Sequence, residues 1–314
     1  YHLHCVYSFD YDKNADCTPI SVCRHALENG LSEIAFTDHY CVNAISDGSL
    51  PDVDLVSRAR DIQEAKEAFR GKLEVRHGIE LGQPTQRSDV ALKVLSENRF
   101  DFVIGSLHNN DGFPDFYYLD YKSFSPYEIN SLWDIYLSET MDHIRWGKGR
   151  FHSLGHLNYL ERYIHRDGLK DLIDVNSRLE VYREIFRLLI DCDIALELNT
   201  SGKVQGLNDT VPNSSLAKLY HDVGGKLYTV GSDSHTPSRV GSFVKETYEY
   251  LLSIGVEEIA TFSEGNLVLK SILTILFIII SLVLTVVVLM QEGKSAGLGA
   301  IAGAAAFYNS EAPI

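Results

Sequence analysis

Residues 101–108 read DFVIGSLH, a short apolar run that ends on an imidazole, and the same figure recurs along the chain. EIAFTDH closes on Asp38 and His39, LEVRHGIE on Glu80, FHSLGH on His156, and LYTVGSDSH on Asp233 and His235. Apolar runs of this length, alternating with amphipathic stretches, are the pattern of βα units around a parallel sheet. Strands are predicted at 1–6, 33–38, 73–81, 101–107, 151–156, 194–199 and 226–232; all but one end in a carboxylate or an imidazole, and the exception ends in Asn199. Helices are predicted at 18–29, 52–70, 88–98, 126–147, 175–191, 213–223 and 245–254 from apolar residues at helical spacing. Segment 175–191 is the clearest, with Val181, Ile185, Leu188 and Leu189 on one face. In a βα barrel the loops at the C-terminal ends of the strands carry the chemistry.

The chain has 314 residues, and one α/β barrel commonly reaches about 250, so length permits a single large core with something added. Hydrophobic content of 45% and charged content of 23% are those of a globular protein. A net charge of −15 and a pI near 5.2 argue against a nucleic-acid partner held by a lysine and arginine surface. If such a protein handles phosphate, something else must supply positive charge. Cys5, Cys17, Cys23, Cys41 and Cys192 form an odd set with no C-x-x-C pair, which predicts a reduced, cytoplasmic compartment. The chain opens at Tyr1 inside a predicted strand. Its natural start is therefore expected upstream, with His2 and His4 at a frayed end.

His2 and His4 alternate along that strand, so both imidazoles face one side and can share an ion. Of the 12 histidines, His25, His77, His143, His152, His165 and His221 lie outside the strand-end pattern and are read as ordinary core or surface residues. The remainder, with Glu80 and Asp233, offer imidazole and carboxylate without a thiolate, a donor set suited to zinc, manganese or iron. The groups are too many for one ion, so two or three divalent metals are predicted. Cys5 and Cys41 are close to these residues in sequence but are read as packing groups. Arg162, after His156, and Arg239, after His235, are candidates for bidentate phosphate contacts.

The ordered series HLH, TDH, GIE, GSLH, GH and GSDSH resembles the polymerase and histidinol phosphatase (PHP) family. FDFVIGSLHNNDG, GHLNYLERY, LELNTSG and GSDSHTPSRVG are similar to its histidinol-phosphatase branch, over about residues 1–262. The resemblance implies an α/β fold, a distorted seven-stranded βα barrel. It also implies a trinuclear site in which His2, His4, Glu80 and Asp233 hold one metal. Glu80 bridges to a second held by His108 and His156, and Asp10, His39 and His235 hold the third. Asp38 is expected to orient a ligand. Three divalent ions against the carboxylates of Asp10, Glu80 and Asp233 leave a positive pocket in an acidic protein.

The reaction implied is hydrolysis of a small phosphomonoester, L-histidinol phosphate, by a metal-bound hydroxide. Catalytic roles are expected for Glu80, Asp233 and His235, with Asp233 or a nearby histidine protonating the leaving alcohol through water. Glu161, Asp111 and the aromatic stretch 113–121 are candidates for holding the ammonium and imidazole of that substrate. Two readings compete: the same site acting on another phosphomonoester or a nucleotide, and a non-catalytic, membrane-anchored translocase accessory.

The tail differs in kind. Residues 271–290, SILTILFIIISLVLTVVVLM, carry no charge, and 20 residues in a helix span roughly 30 Å, which predicts a transmembrane helix. Lys270 and Lys294 flank it evenly and leave its orientation open. The stretch ILTILFIIISLVLTVVVLMQEGKSAGLGAIAG resembles the first membrane helix and following loop of SecG, a translocase subunit, over about 268–303. SecG-like proteins carry a second membrane helix, which the Gly/Ala-rich 295–306 segment does not replace. The expected division is a phosphatase barrel at 1–263 and a SecG-like segment at 264–314, joined by a gene-boundary or assembly accident. Contact with membrane or translocase is confined to the tail.

Overall fold

The computed structural model describes residues 1–278, 280, 281, 284, 285, 287 and 288. Seven parallel strands form its main sheet: β1 (Glu33–Phe36), β2 (His39–Cys41), β3 (Glu74–Gly82), β4 (Phe102–Ser106), β5 (Ser153–Leu154), β6 (Ala195–Asn199) and β7 (Tyr228–Gly231). The order is β1-β3-β4-β5-β6-β7, with β2 also on β3. β3 is the spine, its first half pairing Phe36 with His77 and its second half pairing His39 with Glu80. β4, β6 and β7 are buried at every position, because helices cover one side and the curled sheet encloses the other.

The helices between strands are α1 (Pro19–Glu28), α2 (Val42–Asp47), α3 (Leu55–Ala68), α4 (Ser88–Glu97), α5 (Pro126–Gly147), α6 (Glu161–Arg166), α7 (Leu179–Asp191), α8 (Ser201–Val204), α9 (Ser214–Asp222) and α10 (Val244–Ser253). Their starts follow local chemistry. Thr18 caps α1 before Pro19, Ser125 and Glu128 form a reciprocal capping box before α5, and Asn213 caps α9. The buried face of α7 is Tyr182, Ile185, Phe186 and Leu189, turned from the predicted stripe so that Val181 and Leu188 lie half-buried on its flank. The two aromatic rings offer more area to bury than Val181 and Leu188.

Segment 1–6 is not a regular strand. Only Leu3 bridges, to Ser234, because the chain turns at Val6 and Tyr7. The segment nevertheless lies between the sheet's two edges. The Thr37 N–H donates to Leu3 O at 2.9 Å on one side, and His4 N–H to Ser234 O at 2.9 Å and Asp233 N–H to His2 O at 2.7 Å on the other. The frayed end expected for His2 and His4 is not found, since they are 0% and 1% exposed. Leu3 between them joins a core of Val22, Ala26, Ile34, Phe36, Ile62 and Val75 beneath α1 and α3.

One pair of strands has no counterpart in the predicted set: the antiparallel hairpin β8 (Glu258–Ser263) and β9 (Asn266–Ser271), turning at Glu264 and Gly265 with φ of 52° and 76°. Phe262 stacks on Phe102 at 5.4 Å and, with Ala35, Ile104, Ala195 and Ala260, forms a second core. The compact unit thus runs from Tyr1 to Ile272. Of the apolar run 271–290, Ser271 ends β9 and residues 272–278 are helical; part of the remainder, and all of 291–314, lie outside the described residues. Among the described residues no helix is long and apolar enough to cross a membrane.

Candidate metal centre

The strand ends converge as the sequence pattern requires. His2 and His4 reach in from the N-terminal segment, His39 from β2, Glu80 from β3, and His108, His156, Asp233 and His235 from the loops after β4, β5 and β7. Glu80 is fully buried at the centre. Its Oε1 lies 2.9 Å from His156 Nε2 and 3.1 Å from His108 Nε2, and its Oε2 lies 3.3 Å from His2 Nε2 and 2.6 Å from His39 Nδ1. Asp233 Oδ1 stands 3.2 Å from His4 Nε2 and 3.6 Å from His2 Nε2. Asp10, from the loop after the N-terminal segment, brings Oδ2 to 3.1 Å from His235 Nε2 and 3.4 Å from His39 Nε2.

These donors fit metal ions better than they fit one another. Three pairs of imidazole nitrogens face each other: His2 and His4 at 3.1 Å, His108 and His156 at 3.3 Å, and His39 and His235 at 3.3 Å. Metal–nitrogen bonds of about 2.0–2.1 Å in a tetrahedron put ligand atoms roughly 3.3 Å apart. His39 Nδ1 and Glu80 Oε2 are buried and close yet lack hydrogen-bond geometry, as two lone pairs aimed at a common point do. Burial and the neighbouring His235, His39 and His2 push the His4 imidazole down to about 3, so it stays neutral and able to ligate. Burial opposes the charge on Glu80, but the facing His39, His2 and His108 hold its carboxyl well below the usual range.

A further set of residues holds the donors in place. Glu197, on β6, accepts from His2 Nδ1 at 2.8 Å with one oxygen and from the His156 N–H at 2.7 Å with the other. It was not among the sequence candidates. Its signal was the alternation of LELN, which puts Glu197 on the same face as Asn199. At Gly231 a Cβ would collide with Glu197 Oε1 and His2 Cβ, so only glycine admits this contact. His156 and Asp233 sit at φ of 21° and 49°, conformations costing about 1–3 kcal/mol each, and the bonds of their N–H groups to Glu197 and His2 O hold them there. Asp38 accepts from buried Arg58 Nε at 2.6 Å and from Ser8 Oγ at 3.1 Å, and Ser8 Oγ lies 2.8 Å from His4 Nδ1. Asp38 thus reaches His4 through Ser8, which lies in no motif of the chain. Cys41 Sγ sits 3.8 Å from His108 Nδ1, the ring nitrogen that does not meet Glu80, and Cys5 Sγ donates to Asp38.

Above the donors opens a cleft of about 820 Å³ lined by Asp10, His39, His108, His156, Asp233 and His235, and by both arginines. Arg162 is buried, its Nη2 donating to Ser201 Oγ at 2.8 Å and approaching Asp233 Oδ2 at 3.4 Å, with its guanidinium over the Tyr159 ring at 4.9 Å. Arg239 lines the same cleft from the loop after β7. Of the candidates for the substrate's organic end, Asp115, Tyr117 and Tyr118 line it, whereas Glu161 and Asp111 do not. The six histidines set apart stay out of the donor cluster. His152 Nδ1, for example, accepts from the Val103 N–H at 2.8 Å.

The PHP domain family model matches residues 1–201, and the model of the preprotein translocase SecG subunit matches 270–311. A histidinol-phosphatase of Lactococcus lactis subsp. lactis is 28% identical over 276 residues, covering 84% of this chain and 93% of that relative. A protein of Clostridium acetobutylicum described as a probable histidinol-phosphatase is 25% identical, covering 76% of this chain and 87% of its own length. The crystal structure of histidinol phosphate phosphatase from Lactococcus lactis, complexed with zinc, L-histidinol and phosphate, superposes with a TM-score of 0.68 at 26% identity over 85% of this chain and 97% of that one. The match from Tyr1 through β6 and the ordered donors at the strand ends agree: the chain belongs to the PHP domain family.

Proposed function

We propose that this chain hydrolyses L-histidinol phosphate to L-histidinol and phosphate with two or three divalent metal ions. The observation that carries the reading is Glu80, buried between two sets of imidazoles at the floor of a cleft that also holds Arg162 and Arg239. The Lactococcus lactis relative, bound to zinc, L-histidinol and phosphate, supports both metal and substrate. Zinc is the favoured ion, and manganese or iron suit the same donors. With β1 and β2 counted as one interrupted stave along β3, the N-terminal segment is read as the seventh, closing stave of a distorted barrel, which sets His2 and His4 at the end where the other donors gather.

His2, His4, Glu80 and Asp233 are assigned to one ion, Glu80, His108 and His156 to a second, and Asp10, His39 and His235 to a third. Bound ions supply a water acidic enough to act as nucleophile near pH 7 and positive charge for the phosphate oxygens. Arg162, fixed by Ser201 and stacked on Tyr159, takes one edge of the phosphate, and Arg239 adds a second contact. Burial raises the cost of charge on Asp233, but His2, His4 and Arg162 hold its carboxyl well below the usual range, so it stays ionised as a metal donor and does not act as the acid. The leaving alkoxide is protonated from water on the His235 side of the cleft. In this reading the SecG-like tail has no part in the chemistry.

The test compares the metal-loaded protein on L-histidinol phosphate, p-nitrophenyl phosphate and a dinucleotide. A clear preference for L-histidinol phosphate is expected. Glu80→Ala should lose several kcal/mol of transition-state stabilisation, a fall of about 10³-fold or more. No preference among the three, or an active Glu80→Ala, contradicts the assignment.

A further inference from the structure

Resting on the phosphatase reading and its metal assignment, we propose that Cys41 is a positioning residue for the ion shared by Glu80, His108 and His156. Its thiol leaves that ion more readily exchanged than the one shared by His2 and His4.

Alternation along β2 puts Cys41 on the same side as His39, toward the donors. Its Sγ lies 3.8 Å from His108 Nδ1, while His108 Nε2 lies 3.1 Å from Glu80 Oε1. A ring that gives Nε2 to a metal keeps its proton on Nδ1, and here that N–H meets a sulfur. Gly82 makes room for the contact. It pairs with Cys41 in the register of β2 on β3, and a Cβ there would stand 3.0 Å from Cys41 Sγ and 3.3 Å from His108 Nδ1.

Three other imidazoles are backed by oxygen instead. His2 Nδ1 meets Glu197 Oε1 at 2.8 Å, and His4 Nδ1 meets Ser8 Oγ at 2.8 Å, with Asp38 and Arg58 behind it. His235 Nδ1 meets the Asp233 carbonyl at 3.0 Å. A carboxylate or carbonyl acceptor raises the basicity of a ligating ring and fixes its orientation. Sulfur is a weak acceptor and does both poorly. His156, the second imidazole of the same ion, has its Nδ1 buried and without a hydrogen-bond partner among the described residues. Glu80 serves both ions with one carboxylate, so the difference falls to the imidazoles, and Asp233 adds to the hold on the His2 and His4 side. Hydrolysis then follows the supply of free metal through the ion beside His108.

The experiment titrates zinc out of the full chain with a competing chelator, for the wild type and for Cys41→Ala, Cys41→Asp, His108→Ala and His2→Ala. The two histidine variants each remove one binding step and so identify it. In the wild type the step missing from His108→Ala should be weaker than the step missing from His2→Ala. Cys41→Ala should weaken that step further, by about 10-fold, and Cys41→Asp, which gives His108 the kind of partner that His2 has in Glu197, should strengthen it by a similar factor. The zinc concentration giving half-maximal hydrolysis of L-histidinol phosphate should move with it in both variants. If the buried carboxylate of Cys41→Asp unfolds the chain, Cys41→Ala decides alone. An unmoved step overturns the proposal, as does an equal shift of both steps, the mark of general loosening. Fewer than two ions bound by the wild type overturns the phosphatase reading and this proposal with it, whereas unshifted Cys41 variants overturn the proposal alone.

Discussion

Glu80 and Glu197 are both buried carboxylates, but Glu80 faces the imidazole nitrogens as a donor while Glu197 holds the His2 ring and the His156 backbone in place. Glu80 closes an apolar run as the other donors do, so the strand-end pattern finds it. Glu197 sits inside its run, between Leu196 and Leu198, where a carboxylate reads as one more position of a strand. What gives it meaning is a contact 195 residues away, to His2 Nδ1, which no local pattern contains. Ser8 and Arg58 were missed for the same reason, since each acts on Asp38 across the fold. A carboxylate that fixes the tautomer of a ligating imidazole typically governs metal affinity. Glu197→Gln should therefore weaken metal binding by about 10- to 100-fold in a competitive chelator titration while far-UV circular dichroism stays unchanged.

At the scale of elements, the seven predicted helices are found within a few residues because caps and periodicity are local, Ser125 with Glu128 being the plainest case. In contrast α2, α6 and α8, of four to six residues each, are too short to show a period and were missed. The N-terminal strand and the final hairpin were not read correctly. Segment 1–6 is held by edges contributed from Thr37 and Ser234, and β9 was absorbed into the apolar tail although Glu264 and Gly265 mark a turn. The hairpin also creates a pH dependence. His152 packs against Phe262 at 4.7 Å, and burial brings its imidazole from 6.5 down to about 4. The folded state keeps His152 neutral while the unfolded chain takes up a proton, so its contribution is complete above pH 6.5 and is lost as the pH falls toward 4. In His152→Asn, which retains an acceptor for Val103, denaturation at pH 7 and pH 4.5 should show a difference from wild type that shifts in the variant's favour by on the order of 2 kcal/mol at the lower pH. An equal difference at both values would exclude His152 as the source.

For the whole molecule, an acidic chain that binds phosphate needs a local source of positive charge, and the donors, Arg162 and Arg239 are gathered on one cleft for that purpose. All of them precede residue 240, and the compact unit carrying them ends at Ile272. A chain cut after Ile272 should keep kcat/KM for L-histidinol phosphate within about twofold of the full protein, since surface changes away from a site seldom alter it by more. A cut after Ser263 removes β9 and should lower the midpoint of thermal unfolding, by roughly 2–4 °C for each kcal/mol of hairpin pairing lost.

The central claim is that these side chains form one metal-dependent hydrolytic centre. Its most direct test is a count of bound metal per chain alongside phosphate release from L-histidinol phosphate, before and after chelation. The account predicts at least two equivalents of metal, loss of hydrolysis when they are removed, and recovery on adding zinc or manganese. Undiminished hydrolysis by a chain holding fewer than two equivalents would contradict it.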